Sequence, residues 1–280
     1  MPLEHVTVCI ENGDYHVVEC GSGPPLLLIH GWSGSWENFI RWLPLLSRHF
    51  RLLVPDLPGC NGARALRGAH TMAGYAEFLH KLLDARAASP AHIGGLCFGA
   101  NIGMALAQRH PDDVRSLLLH TPLFHTSVMK AFFKAQIRLF ASSPAFPLVS
   151  RLRFNDRLMS LYKRKLIEGD DVEWFDNAIN QKNMRVADSR AARELARDVS
   201  RSDFVDFLRS WRGPTFVIVA TKDAFLRYPE FLWIRELNPE CHVSIIDEGG
   251  HGWTQEFIRR QERSLEEFVR FAGADGAGPV

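Results

Sequence analysis

The segment Gly-Leu-Cys-Phe-Gly at residues 95–99 constrains the fold of this chain more than any other, because it joins an apolar strand to a helix. Residues 91–95 form a short apolar run typical of a buried strand, and residues 100–110 are predicted to form the helix that follows. Glycines on both sides of Cys97 lack Cβ atoms, so strand and helix can approach closely while the cysteine takes a strained backbone conformation. The pattern predicts a sharp turn that holds the thiol over a sheet edge.

Two other segments provide the groups that a nucleophilic cysteine needs. An apolar run at 26–29 ends in the segment 30–32 (His-Gly-Trp), and near the C-terminus the strand-like run 243–246 leads to His251 within a Gly-Gly-His-Gly-Trp segment. Between them, the apolar run 215–220 leads into Asp223. Along the chain the order is cysteine, acid, histidine, which is the order of nucleophile, acid and base in the α/β hydrolases.

In these segments, and over about residues 15–271, the chain resembles the α/β hydrolase superfamily, with cysteine at the nucleophile position where serine is usual. The resemblance implies an α/β fold with a mostly parallel central sheet, helices on both faces and a helical cap insertion. The alternation of strands and helices up to Pro122 independently favours a parallel sheet covered on both faces. The predicted strands are 6–10, 15–19, 26–30, 51–55, 91–95, 114–120, 215–220 and 243–246, with helices near 36–47, 72–87 and 100–110.

The alternation stops between residues 124 and 212, where the apolar spacing is helical. We therefore expect a hydrolase core at 1–123 and 213–272, a helical cap at 124–212 and a disordered tail at 273–280. The cap segment carries 17 Lys and Arg against 11 Asp and Glu, whereas the remainder carries 16 against 21. This asymmetry suggests that the cap meets an anionic partner, although an ordinary solvated helical surface has the same composition.

The predicted chemistry is that of a Cys97–His251–Asp223 triad. A thiol must lose its proton to attack a carbonyl carbon, and His251 is the candidate base because imidazole titrates near neutrality. Asp223 would orient the imidazole, with Asp247 and Glu248 as rival acids. The resemblance implies that the backbone N–H groups of Trp32 and Phe98 form the oxyanion hole.

Residues around this site favour an apolar pocket for a bulky or aromatic acyl group. We assign His30, Trp36 and Trp253 to substrate binding, with His30 shaping the loop rather than transferring protons. Cys60 replaces the histidine that the family usually has in its Asp-x-Pro-Gly-His-Gly loop, and we predict no chemistry for it.

The cysteine favours acyl transfer over simple hydrolysis, because thioesters react well with amines and other nucleophiles. The predicted function is an acyltransferase or (thio)esterase acting on a small-molecule acyl ester or thioester, with delivery by an acyl carrier protein or coenzyme A as a further option. Two alternatives stay open. One is a serine esterase or thioesterase whose nucleophile was exchanged for cysteine to trap the intermediate, and the other is a non-catalytic binding protein on the same fold.

Composition and cysteine spacing exclude several other classes of protein. A net charge of +1 indicates no global attraction to nucleic acid. The five cysteines are odd in number and show no CxxC or zinc-like spacing, which favours reduced thiols in a cytoplasmic protein. Neither a signal segment nor a membrane span is predicted, and no metal site or cofactor is expected.

Overall fold

The structure, a computed structural model, describes residues 2–141, 175–223, 225–248 and 255–274. These residues form an eight-stranded sheet in the order β1-β2-β4-β3-β5-β6-β7-β8. The pairs β1/β2 and β2/β4 are antiparallel, and the other neighbours run parallel. The strands are β1 Glu4–Ile10, β2 Gly13–Cys20, β3 Pro25–Ile29, β4 Arg51–Pro55, β5 Ala91–Leu96, β6 Val114–His120, β7 Thr215–Ala220 and β8 His242–Ile246. The predicted α/β-hydrolase fold, with its mostly parallel sheet, is confirmed.

Helices connect the parallel strands. They are α1 Leu43–Leu46, α2 Met72–Ala85, α3 Phe98–Arg109, α4 Ala131–Ala141, α5 Phe175–Val186, α6 Ser189–Val199, α7 Val205–Ser210, α8 Tyr228–Phe231, α9 Ile234–Leu237 and α10 Gln255–Ala274. The helix predicted at 36–47 is divided into a 3₁₀ turn, Trp36–Phe39, and α1. Pro44 explains the division, because it lies in the first turn of α1 and has no N–H to continue a preceding helix.

Alternating burial along the strands explains why both faces of the sheet are covered. In β3, Leu27 and Ile29 pack into the cluster that contains α2 and α3 residues, whereas Leu26 and Leu28 pack into the opposite cluster with Phe268 of α10. Successive strand side chains point to opposite faces, so an uninterrupted apolar strand needs a helical layer on each side. The continuous apolar runs of the sequence are therefore central strands.

The hairpin between β1 and β2 turns at two residues that have a left-handed backbone conformation. Glu11 and Asn12 have φ values of 51° and 61°, and Ile10 pairs with Gly13. Positive φ at both loop residues is the type I′ geometry that matches strand twist. The loop is thus Glu11-Asn12, and Gly13 is already the first residue of β2.

Between β6 and β7, helices α5 and α6 pack on loops that follow the sheet strands. Asp188 donates its N–H to the carbonyl of Gly59 at 2.8 Å, and Asp198 Oδ2 accepts the N–H of Met72 at 2.7 Å. A Cβ on Gly59 would lie 2.5 Å from Cβ of Ala191, which shows how tightly α6 sits on the loop after β4. Both helices therefore lie at the carboxyl edge of the parallel strands.

Parts of the predicted cap and tail lie outside the described residues. These parts are residues 142–174 of the predicted cap and residues 275–280 of the predicted tail. The cap boundaries at 124 and 212 stay a prediction. Helix α10 includes Gly273 and Ala274, so it extends into the segment expected to be disordered. Within the described part of the chain, no helix combines the length and the apolar character needed to cross a membrane.

Protonation of a buried histidine should make the fold acid-sensitive. Burial, and to a smaller extent the charge of Arg115, lower the pKa of His92 on β5 to about 4. The unfolded chain protonates this imidazole near pH 6.5, so stability is fully present above that pH and falls as the pH drops from 6.5 towards 4. We expect His92 to account for a loss of about 3 kcal/mol across this window.

Urea denaturation at pH 7.0 and pH 4.5 measures this loss. The His92→Asn variant, which has no titrating group at this position, should lose less stability than the wild type between the two pH values. Equal losses in both proteins would show that His92 does not contribute to the acid sensitivity.

Candidate active site

Cys97 occupies a strained turn between β5 and α3. Its φ and ψ are 51° and −113°, a combination that residues with a side chain rarely adopt. The backbone N–H of Cys97 donates to the carbonyl of His120 on β6 at 2.9 Å, which anchors the turn to the neighbouring strand. The residue is partly exposed, unlike the buried Cys20, Cys60 and Cys241. The strain therefore accompanies an accessible thiol.

Backbone contacts explain both glycines of the turn. A Cβ on Gly95 would lie 2.4 Å from the carbonyl carbon and oxygen of Gly99. A Cβ on Gly99 would lie 2.1 Å from the carbonyl oxygen of Ile29 and 2.5 Å from that of His30. Because these neighbours are backbone atoms, neither position can accept a larger residue without displacement of a strand. The start of α3 is thereby pressed against the carboxyl end of β3.

The loop after β3 lies directly on this turn. A Cβ on Gly31 would lie 3.2 Å from the carbonyl oxygen of Leu96 and 3.7 Å from Cβ of Cys97. The next residue, Trp32, has its ring centroid 6.2 Å from that of Phe98. Phe98 is the first residue of α3, so its N–H has no acceptor within the helix. The structure thus brings the two predicted oxyanion-hole residues together beside Cys97.

Trp32 also connects this loop to the helices between β6 and β7. Its indole Nε1 donates to the carbonyl of Ala192 in α6 at 2.8 Å. Asn183 of α5 donates through Nδ2 to Oγ of Ser35 at 2.8 Å, further along the same loop. A movement of α5 or α6 would therefore shift the loop that carries Trp32, whose N–H is a candidate donor of the oxyanion hole.

His30 holds the loop from beneath. The ring is fully buried, with Nε2 accepting the N–H of Leu57 at 3.0 Å and Nδ1 donating to the carbonyl of Gly31 at 2.9 Å. Burial lowers the pKa of His30, so the neutral ring keeps this arrangement. Both nitrogens are used by the backbone, which gives His30 a role in shaping the loop and leaves no edge for the substrate contact predicted above.

Asp56 is a buried carboxylate that sequence reasoning did not single out as a functional group. Its Oδ1 accepts the N–H of Trp36 at 3.0 Å, while Oδ2 accepts from His16 Nδ1 at 2.7 Å and from Asn61 Nδ2 at 3.1 Å. The carboxylate thus ties the end of the β3 loop to β2 and to the β4 loop. Its sequence signals are its place directly after an apolar strand and its position as the first residue of the Asp-x-Pro-Gly-Cys-x-Gly loop.

Trp36 does not lie where the sequence predicts. Its ring packs edge-on against His5 of β1, with centroids 5.5 Å apart. In the sheet order, β1 is four positions away from β5, which precedes Cys97. The prediction rested on the closeness of Trp36 to the His-Gly-Trp segment in sequence, which does not determine the direction of its ring.

Asp223 lies in the loop that follows β7 and is completely buried. Its Oδ1 accepts the N–H groups of Phe225 at 2.7 Å and Leu226 at 2.9 Å, which fixes the carboxylate in one orientation. In the sheet, β7 is separated from β5 by β6 alone. Cys97 and Asp223 therefore project from the same edge of the sheet, as the prediction requires.

The two rival acids have a different environment. Asp247 is exposed and accepts a hydrogen bond from Thr221 Oγ1 at 3.2 Å. Glu248 is exposed too and forms an ion pair with Lys222 Nζ at 2.6 Å. Both are satisfied at the surface, whereas Asp223 is held in the interior. The assignment of Asp223 as the acid stays a prediction.

The loop that follows β8 contacts the loop that follows β7. Glu248 donates its N–H to Thr221 Oγ1 at 2.9 Å, and Thr221 donates its own N–H to the carbonyl of Ile246 at 3.1 Å. Residues 249–254 lie outside the described residues, so His251 and Trp253 keep their assignments as predictions.

Thr121 is a second residue that sequence reasoning missed. It lies at the carboxyl end of β6, between the strands that carry Cys97 and Asp223, and is almost fully buried. Its φ of 49° is exceptional for a β-branched residue. Backbone strain of this kind concentrates at functional sites, and the residue types in the sequence do not predict it.

Cys60 also lies near this edge of the sheet, and its environment makes it unreactive. Burial, followed by the charges of Asp56 and Asp188, raises the pKa of Cys60 to about 12. The group remains a neutral thiol at physiological pH and a poor nucleophile. This agrees with the prediction that Cys60 has no catalytic role, and all five cysteines of the chain are free thiols, as expected.

Comparison with known proteins agrees with this architecture. Residues 24–252 match the family model described as the alpha/beta hydrolase fold. The chain belongs to the α/β hydrolase fold family.

Several relatives cover most of the chain. Lipase 3 of Moraxella sp. (strain TA144) is 27% identical across 89% of this chain and 79% of the lipase. The 2-hydroxymuconate semialdehyde hydrolase of Pseudomonas sp. (strain CF600) is 25% identical across 92% of this chain and 87% of that enzyme. Among solved structures, the N-acyl homoserine lactonase AidH superimposes with a TM-score of 0.78 at 20% identity, covering 99% of this chain and 100% of that one. The structural similarity shows a shared fold.

Proposed function

We propose that this chain is an acyl-transfer enzyme that attacks an ester or thioester through Cys97 and forms an S-acyl intermediate. His251 is the general base in this proposal, and Asp223 orients it. The backbone N–H groups of Trp32 and Phe98 stabilise the oxyanion. Similarity to lipases and other hydrolases that cover most of the chain supports acyl chemistry in general.

The observation that carries the proposal is the conformation of Cys97. A cysteine that only filled space in the core would gain nothing from a φ of 51°. Cys20, Cys60 and Cys241 are buried in this way, whereas Cys97 is not. Here the strained residue is partly exposed, follows a buried strand and precedes the N-terminus of α3. A helix N-terminus favours negative charge on a neighbouring oxyanion.

The reaction follows from these positions. His251 takes the thiol proton, and the Cys97 sulfur attacks the acyl carbon to form a tetrahedral intermediate. As the intermediate collapses, the bond to the leaving alkoxide or thiolate breaks, and His251 returns the proton to that group. Water or a second nucleophile then attacks the thioester and loses its proton to His251. The carbon–sulfur bond breaks, the acyl product leaves, and the Cys97 sulfur takes the proton back from His251.

The helices between β6 and β7 form the cap of this site in the proposal. Contacts of α5 and α6 with the loops after β3 and β4 support this role, because those loops border the carboxyl edge from which Cys97 and Asp223 project. The excess of Lys and Arg at 124–212 would favour an acyl donor with phosphate groups, such as coenzyme A, or an acidic carrier protein.

The proposal is tested by the fate of the acyl group. The enzyme is supplied with a thioester donor in water, with and without a primary amine, and the amide and carboxylate products are counted. With cysteine at position 97, added amine should increase the fraction transferred relative to the Cys97→Ser variant. The same partition in both proteins would contradict transfer as the role of the thiol and favour a hydrolase.

Removal of the charge on Asp223 should slow turnover while the fold survives. In Asp223→Asn, the side-chain oxygen can still accept from Phe225 and Leu226, so the loop keeps its hydrogen bonds. The imidazolium of His251 would lose its counter-charge, and kcat/KM should fall by roughly 10²- to 10⁴-fold. Activity close to that of the wild type, with an unchanged melting temperature, would exclude Asp223 as the acid.

A further inference from the structure

Two histidines and an aspartate meet at the end of α3 that is remote from Cys97. His110 caps the C-terminus of α3, and Asp113 ends the 3₁₀ turn Pro111–Asp113 that follows. His80 approaches them from α2. Because α3 has 12 residues, this cluster lies about 18 Å from the candidate active site. Its chemistry is therefore separate from acyl transfer.

The donor atoms of the cluster converge. Nδ1 of His80 lies 2.6 Å from Oδ2 of Asp113, and one ligand atom from each of His80, His110 and Asp113 lies within 4.8 Å of the other two. The two imidazole rings are stacked, with centroids 4.0 Å apart and planes inclined by 6°.

Neighbouring side chains hold the three donors in place. Ser89 Oγ donates to Oδ1 of Asp113 at 2.6 Å, which leaves Oδ2 facing His80. Nε2 of His110 lies 3.2 Å from the Glu77 carboxylate, which accepts its proton and leaves the lone pair on Nδ1. A carboxylate behind a ligating imidazole is the usual second support of a metal-bound histidine.

We propose that His80, His110 and Asp113 bind a divalent transition-metal ion such as Zn²⁺. Two imidazoles and one carboxylate suit zinc, cobalt or nickel, whereas magnesium and calcium prefer oxygen ligands throughout. The ion takes the place of the proton that links His80 Nδ1 to Asp113 Oδ2, and that proton shifts to Nε2 of the same imidazole. A water molecule completes the tetrahedron.

The side chains have room to close on an ion. Ligand distances of about 2.0–2.1 Å place tetrahedral donor atoms roughly 3.4 Å apart, so the cluster must contract slightly. The two rings are stacked, and a metal ion lies in the plane of each imidazole that binds it, so both rings must rotate out of the stack. The side chains of His80 and His110 are 31% and 21% exposed, which permits these rotations, while Asp113 is largely buried and fixes the position. The ion would join α2 to the α3–β6 connection and stabilise the fold.

Sequence reasoning expected no metal site because the ligands show no zinc-like spacing. His80 lies on one helix, and His110 with Asp113 follows the next, so only the packing of α2 against α3 brings them together. For this part of the chain, a metal site is therefore expected in place of none.

Calorimetric titration of tag-free, EDTA-treated protein with ZnCl₂ at pH 7.5 tests the site. Cys9→Ser and Cys97→Ala are introduced together to remove the two accessible thiols. We expect one saturable site per chain. His80→Gln should weaken binding at least about tenfold.

The matched control is His242→Gln, which removes another partly exposed histidine, 3.9 Å from the carboxylate of Glu267. It should leave zinc affinity unchanged. As a second readout, zinc should raise the melting temperature of the parent protein and of the control but not that of His80→Gln or Asp113→Asn. Absence of saturable binding, or the same affinity in His80→Gln as in the parent, would overturn the proposal.

Discussion

Replacement of Cys97 with alanine is expected to abolish acyl transfer without loss of the fold. The substitution removes only the sulfur, so the turn, its hydrogen bond to His120 and the flanking glycines remain. Without a nucleophile, the remaining groups can only bind substrate and polarise it. We expect kcat/KM for an activated ester or thioester to fall by about 10⁴-fold or more.

Steady-state kinetics with a chromogenic ester measure this effect, and Cys9→Ala is the matched control. Cys9 lies on β1, at the outer edge of the sheet, and is exposed. Its loss should leave kcat/KM within about twofold of the wild type, and both variants should melt cooperatively. If Cys97→Ala retained most of the activity, the nucleophile would have to be another group, and the proposed mechanism would fail.

Insertion of a methyl group at Gly99 is expected to have the largest effect on stability. In Gly99→Ala, the new Cβ would lie 2.1 Å from the carbonyl oxygen of Ile29, which is far inside van der Waals contact. The obstacle is backbone of a central strand, so relief requires α3 to move away from β3. We expect the free energy of unfolding to fall by at least about 4 kcal/mol, enough to threaten folding of a domain with ordinary stability.

Two other glycines of helices provide graded controls for urea denaturation. At Gly273 in α10 a Cβ would meet nothing within 4 Å, and at Gly103 in α3 it would lie 3.2 Å from Cγ2 of Ile93. Alanine at either position should change the free energy of unfolding by no more than about 1 kcal/mol, since alanine also has the higher helix propensity. A Gly99→Ala protein as stable as these controls would contradict the close approach of α3 to β3.

The sequence was sufficient for the central strands and the turn around Cys97. The apolar runs at 26–29 and 215–220 need cover on both faces, and the glycines at 95 and 99 predict the close strand–helix junction that the structure contains. The position of Asp223 at the carboxyl edge of the sheet also follows from local order, because it lies in the loop after the buried strand β7. These features depend on neighbours in sequence, or on periodicity, and both are visible in the chain itself.

Side-chain direction could not be predicted in the same way. Trp36 is four residues from the His-Gly-Trp segment but packs on β1, and the backbone uses both nitrogens of His30. The strained Thr121 and the His80–His110–Asp113 cluster have no local signal, since each depends on which elements become neighbours in the sheet and its helical layers. Tertiary packing decided these positions.

Intact-protein mass spectrometry after a brief incubation with an acyl-thioester donor tests the central claim most directly. The wild type should gain the mass of one acyl group, the adduct should map to Cys97, and neutral hydroxylamine should remove it as expected of a thioester. Cys97→Ala should gain no such mass under the same conditions, whereas Cys9→Ala should react like the wild type. Absence of an adduct across ester and thioester donors, or an adduct of equal yield in Cys97→Ala, would contradict covalent catalysis by Cys97.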